Sequence, residues 1–199
     1  MSTIVTTTTQ AQTRGFDFGL VFKQSWRLFV KDLGALIIGT IVATVLSILT
    51  IGILAGPLAA GLYGMVVGRV RDGKQAHVGD VFDQFGRFWA FFGAALALAI
   101  LIGLASLTIV GGIMLAAVWL YVFPLMVDRG MGFGEALGES YRIVKEAGFW
   151  EHVALVLIIV VISSLANGVV TLLATPFLVV LVAVAYYAAA GRAAELERA

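Results

Sequence analysis

Acid–base, metal or phosphate chemistry here would have to come from two histidines, twelve carboxylates and thirteen lysines and arginines, because cysteine is absent. Without cysteine neither a disulfide nor a thiolate site can form. His77 precedes Asp80 and Asp83 in a polar loop and is the nearest approach to a metal set. One imidazole with scattered carboxylates lacks the ligand spacing of a zinc site. His152 follows Trp150 and Glu151 at the head of an apolar run and reads as a residue at headgroup level. No nucleophile-elbow, HExxH, Walker or dinucleotide pattern occurs. The expectation is therefore no enzymatic activity, no cofactor and no metal. The net charge of +1 gives no electrostatic footprint for nucleic acid.

The cations make a pattern of their own. Lys23, Arg27 and Lys31 recur every fourth residue beside Trp26, and Arg87 stands beside Trp89. Arg142 lies in a third segment of similar character, upstream of Trp150. A helix with one apolar face and cations on the other lies in the membrane interface, with its charges among headgroups. These eight residues are the expected contacts to lipid or to a partner. Phe88, Trp89, Phe91, Phe92, Tyr121, Phe149 and Trp150 extend the same zone as an aromatic belt.

The elements that must position these residues are apolar. Hydrophobic residues make up 61% of the chain and charged residues 13%, with a mean hydropathy of +1.03. A soluble domain is about a quarter charged, and a chain this short cannot hide so much apolar surface in one core. No charged residue occurs in the stretches 33–68, 88–127 or 152–191, each about 36–40 residues long. One span takes about 20 residues, so each stretch predicts two spans and a turn. Gly52, Gly56 and Pro57 mark the first turn, Gly111 and Gly112 the second, and Asn167, Gly168 and Pro176 the third. The expected fold is an all-α membrane protein of six transmembrane helices in three hairpins. Hairpins that enter and leave one leaflet are the other reading, disfavoured because an uncovered turn in hydrocarbon leaves backbone groups without partners.

With six spans, every lysine and arginine falls on one side. The positive-inside rule then puts both termini in the cytoplasm, in a bacterial inner membrane. The expected organisation is a disordered tail over 1–14, one membrane domain over 15–192, and a C-terminal tail over 193–199. The Ser/Thr-rich start lacks the basic and apolar regions of a signal peptide.

Three amphipathic segments align without gaps ahead of the three apolar stretches. They begin at Phe18-Gly19, Val78-Gly79 and Phe133-Gly134 and reach Arg27, Arg87 and Arg142 at the same offset. On a helix their apolar residues form stripes: Phe18, Val21, Phe22 and Trp26; Val78, Val81, Phe82 and Phe85; Phe133, Leu137 and Tyr141. This predicts a threefold repeat over about 15–73, 77–130 and 132–192, each unit an interfacial helix, a hairpin and a charged turn.

Within the spans, Ala60, Gly64 and Gly68 form a small-residue row suited to close helix packing or self-association. Ala95, Ala99 and Gly103 form another, and Ser164 and Gly168 stand four apart. Pro124 predicts a kink in the fourth span, while Pro57 and Pro176 read as helix openers. The few polar residues, among them Thr40, Thr44, Ser47, Tyr63 and Asn167, carry no charge. Ion-coupled transport normally needs an intramembrane ionisable group, so its absence argues against that class.

The run Gly56-Pro57-Leu58-Ala59-Ala60-Gly61-Leu62-Tyr63, then Arg71-Asp72-Gly73-Lys74 and Asp80-Val81-Phe82, resembles the YciC-like bacterial membrane proteins. So does Phe123-Pro124-Leu125-Met126-Val127-Asp128-Arg129-Gly130 with Glu135-Ala136-Leu137-Gly138-Glu139-Ser140. The membrane domain of some glycerophosphodiester phosphodiesterases is similar. The resemblance spans about 15–191 and is architectural. It implies no established activity, and no phosphodiesterase domain is present to carry one. The expected function is a non-enzymatic membrane scaffold or accessory subunit. It would hold membrane lipids, a membrane-protein partner or a second copy of itself at the cytoplasmic face. A small permease or lipid transporter with a path between the hairpins is the alternative.

Overall fold

A computed structural model describes residues 16–166 and 169–199. The expected N-terminal tail, and Asn167 with Gly168 in the third turn, lie outside the described residues. Everything described is helical or connecting, with no strand among the described residues. The elements are α1 (Phe18–Lys31), α2 (Leu33–Leu49), α3 (Ala55–Asp72), a 3₁₀ helix (Val78–Arg87), α4 (Phe88–Ala105), α5 (Ile109–Val118), α6 (Val122–Asp128), α7 (Phe133–Ala147), α8 (Phe149–Leu165), α9 (Val169–Ala189) and α10 (Ala193–Arg198).

The protein is built for hydrocarbon. Val78–Ala105, Ile109–Asp128 and Val170–Ala189 are each long and apolar enough to cross a membrane, and two bent pairs raise the number to five if each is one span. In those pairs α1 meets α2 at 85° and α7 meets α8 at 107°. The second bend falls at Gly148, whose φ of +117° is open to glycine at little cost. Large apolar side chains stay on the outside, Leu104, Leu107, Ile109 and Leu165 among them.

The centre of the molecule is α3, which α2, α4, α6, α9 and the 3₁₀ helix all pack around. It is too rich in glycine and too charged in its last turn to pass as a span on hydropathy alone. Enclosure explains this, since a helix surrounded by protein need not be apolar on every face. Gly61 is the point of closest approach. A Cβ there would lie 1.9 Å from the Val81 carbonyl oxygen, and one at Gly56 would lie 2.4 Å from that of Phe91. Two backbones therefore rest directly on α3. Leu58, Val122, Leu125, Met126 and Leu181 fill the adjoining core with almost no exposure.

Three local expectations need correction. The segment at Val78–Arg87 winds as a 3₁₀ helix instead of an α-helix, with Val81 buried against Gly61. Pro176 does not open a helix, because α9 begins upstream and carries it inside; membrane helices tolerate such a proline where neighbours satisfy the freed groups. The stretch 193–199 is not a loose tail: it contains α10, held by the fully buried Leu196. Pro124 lies in the first turn of α6, where its missing N–H costs little. The chain breaks just upstream, between α5 and α6. Ser140 of α7 covers the break: its hydroxyl donates to the Val118 carbonyl (2.7 Å) and accepts from the Tyr121 N–H (3.2 Å).

Candidate functional site at the charged end

Of the five cations expected at headgroups, most hold other parts of the chain. Arg27 donates to the carbonyl of Leu196 and Lys31 to that of Ala199, so α10 covers the lower part of the α1 row. Arg87 donates to the carbonyls of Met126 (2.7 Å), Met131 (2.9 Å) and Gly130 (3.2 Å). It thereby gathers the unpaired carbonyls at the C-terminus of α6, where a cation also suits the helix dipole. Arg142 pairs with Glu139 and Glu146 within α7. Lys23 is exposed and makes no ion pair among the described residues. Of the four tryptophans, the three expected at headgroups face outward, Trp26 at 57% exposure, Trp89 at 78% and Trp150 at 72%.

The centre of this end is Asp128, which sequence reasoning placed in a charged turn and did not single out. Its side chain is only 2% exposed. It accepts from the hydroxyls of Tyr186 (2.7 Å) and Tyr187 (3.1 Å) at the end of α9, and from the Arg192 guanidinium. Arg192 also forks onto Glu195 (2.7 and 2.8 Å) and stacks over the Tyr187 ring. Hydrogen bonds to Glu195 first, and then to Asp128, raise the pKa of the Arg192 guanidinium above its ordinary value. The signal in the sequence was the Tyr186-Tyr187 pair ahead of Arg192, at the close of the last apolar run.

A second buried pair sits at the α1–α2 corner. Asp32 accepts from Arg69 Nε at 2.6 Å and from the second guanidinium nitrogen, with side chains 8% and 12% exposed. The Ala76 N–H also reaches Asp32, at 3.4 Å. Arg71 donates to the Asp128 backbone carbonyl at 3.3 Å. The C-terminal ends of α3, α6 and α9 are thus tied by hydrogen bonds that aspartate oxygens accept.

Beside these ties lies a polar cleft of about 170 Å³, lined by Gly64, Gly68, Arg71, Lys74, Asp83 and Gln84 among others. Lys74 bridges to Asp80 at 2.9 Å and to Asp83 at 3.9 Å. The hydrogen bond from Lys74 to Asp80 raises the pKa of its ammonium. The expected packing row divides here. Ala60 is fully buried, whereas a Cβ on Gly64 would meet nothing closer than Gln84 at 3.6 Å and one on Gly68 nothing within 4 Å. The close contacts belong to Gly56 and Gly61 instead.

The two histidines separate. His77 is exposed in the loop, 4.0 Å from Asp80. His152 is fully buried, with Nδ1 against the Gly148 carbonyl and its ring against Phe16 and Tyr121. No group of three or more metal-ligating side chains occurs among the described residues. Compared with protein-family models, curated proteins and solved structures, the chain matches none.

Proposed function

We propose that the chain is a non-enzymatic membrane scaffold or accessory subunit, binding lipid headgroups or a partner protein at its charged face. In this reading six helices cross the bilayer as three hairpins: α2 with α3, α4 with α5–α6, and α8 with α9. The segments α1, Val78–Arg87 and α7 lie along the interface as the repeated element of three units. Both termini face the cytoplasm of a bacterial cell, at its inner membrane. The sharp bends between α1 and α2 and between α7 and α8 support an interfacial course, since a helix lying on the membrane must turn about a right angle to enter it.

One observation carries the functional part. Trp26, Trp89 and Trp150 are all turned outward on or beside those segments, while most nearby charges fasten helix to helix. Exposed tryptophans at span ends are membrane-interface anchors. The packed core between α3, α6 and α9, with Val122 and Leu125 fully buried, supports the scaffold reading.

The test is purification in mild detergent, with mass spectrometry of the lipids and proteins that travel with the chain. Lys23→Glu with Trp26→Ala and Trp89→Ala is expected to strip anionic lipid or a partner from the complex. An unchanged lipid complement together with unchanged complex size would contradict the reading.

A further inference from the structure

We propose that the groove between α2, α3 and α9 binds an uncharged, lipid-soluble molecule carrying a hydrogen-bond-accepting oxygen, the chemistry of an isoprenoid quinone. This inference rests on the proposed course of α2 across the bilayer but not on the scaffold role, and it involves none of the residues of the charged end.

The groove holds about 540 Å³ and is lined by Thr40, Thr44, Ser47, Ile51, Leu58 and Thr175 among others, with no charged residue in its walls. That volume falls within the roughly 300–1,000 Å³ of small-molecule sites. Thr40, Thr44 and Ser47 follow one another at helical spacing on α2, so their hydroxyls form a ladder along one face. Thr40 lies eight residues beyond Asp32, roughly 12 Å along the axis, which with α2 crossing the bilayer is close to the middle of a hydrocarbon layer about 30 Å thick. Ser47 and Ile51 lead from there toward the far surface.

Several hydroxyls elsewhere in the apolar helices donate to their own backbone: Thr50 to Leu46, Ser106 to Ile102, Ser164 to Val160, each at 2.7 Å. Thr175, on the opposite wall, does the same to Thr171 at 2.9 Å. This is the ordinary way a hydroxyl is satisfied in a helix. Thr40, 1% exposed, has a buried hydroxyl with no partner. The side-chain hydroxyls of Thr44 and Ser47 form no hydrogen bond among the described residues. An unmade bond in a buried site is costly, and hydrocarbon supplies no acceptor. A ligand oxygen at this depth supplies one. The absence of charge in the walls excludes an ionic headgroup, whose desolvation nothing here would offset.

The mouth of the groove points the same way. Ile51 lines it with φ at +52°, a conformation that a β-branched residue rarely adopts, and it is 94% exposed. The strain holds an apolar side chain at the rim of the groove, in the turn between α2 and α3.

The probe is a decyl-benzoquinone with a photoreactive diazirine in its tail, added to the full chain in nanodiscs of phosphatidylethanolamine and phosphatidylglycerol. Light is expected to place adducts on the segments Thr40–Ile51 and Ala55–Leu62. Excess unlabelled decyl-benzoquinone should displace them and added phosphatidylglycerol should not. Thr40→Val with Thr44→Val and Ser47→Ala should lower the competed yield at least about fivefold, the worth of one net hydrogen bond. Ala59→Phe, which fills the groove and leaves the hydroxyls, should lower it as well. Adducts spread evenly over the outer helices, or competition lost on the unaltered protein, overturn the proposal. So does a disulfide between two copies of a Thr44→Cys variant, formed on copper-phenanthroline oxidation of the otherwise cysteine-free chain in liposomes, which would give the groove to a second chain.

Discussion

The guanidinium of Arg192 donates to the carboxylate of Asp128, 64 positions earlier, and joins the end of α9 to the end of α6. The same carboxylate holds two tyrosine hydroxyls. It is the most enclosed charge described at this end, and its neighbours satisfy it on several sides. Removing one member of such a group leaves the other buried and unpaired.

Asp128→Asn is therefore expected to destabilise the protein by about 3 kcal/mol, the lower end for breaking a buried pair because Arg192 keeps Glu195. Thermal unfolding in detergent measures it. Adding Arg192→Met should recover a good part of the loss. Equal damage from the single and double variants would remove the pairing from the account.

Ser140→Ala should cost about 1–3 kcal/mol, since the Val118 carbonyl and the Tyr121 N–H both lose their buried partner. The same unfolding measurement applies. A neutral outcome would mean that the break between α5 and α6 closes by itself.

Gly61→Ala and Gly68→Ala separate packing from propensity. The first puts a methyl into the Val81 backbone and should cost about 1–3 kcal/mol or more. The second meets open space and should gain roughly 0.5–1 kcal/mol, the helix preference for alanine. Paired melting curves distinguish them, and a reversed order would contradict the central place of α3.

Glu139 gives a pH dependence. Its hydrogen bond from Arg142 first, and then its contact with Arg129, hold its pKa below the ordinary value of 4.5. A carboxylate lowered in the folded state stabilises above its unfolded pKa, and the contribution fades as pH falls through the folded value. Melting temperature should therefore fall as pH drops below about 4.5. Glu139→Gln should flatten that part of the profile while leaving the neutral range lower and even. Identical profiles for both proteins would show that the pair carries no stability.

The apolar helices were legible in the sequence because charge-free runs and turn residues are local signals. The runs 33–68, 88–127 and 152–191 contain α2 with most of α3, α4 with α5 and most of α6, and most of α8 with α9. What was not legible depends on contacts far apart in the chain. Gly61 looks like any small residue until Val81 is laid upon it. Arg27 and Lys31 have the spacing of a free basic row, and only the folded position of α10 shows what they hold. Asp128 reads as part of a solvated turn because nothing in its neighbourhood tells that Tyr186, Tyr187 and Arg192 close over it.

The account rests on apolar helices crossing a bilayer with the charges gathered at one surface, and the cysteine-free chain allows a direct test. Single cysteines replace Lys74 and Arg129 at the charged end, and Ile51 and Leu107 at the opposite turns. Each is then exposed to a membrane-impermeant maleimide in sealed, oriented vesicles. Lys74→Cys and Arg129→Cys should react from one side, and Ile51→Cys and Leu107→Cys only from the other. Labelling of all four from the same side would contradict the account.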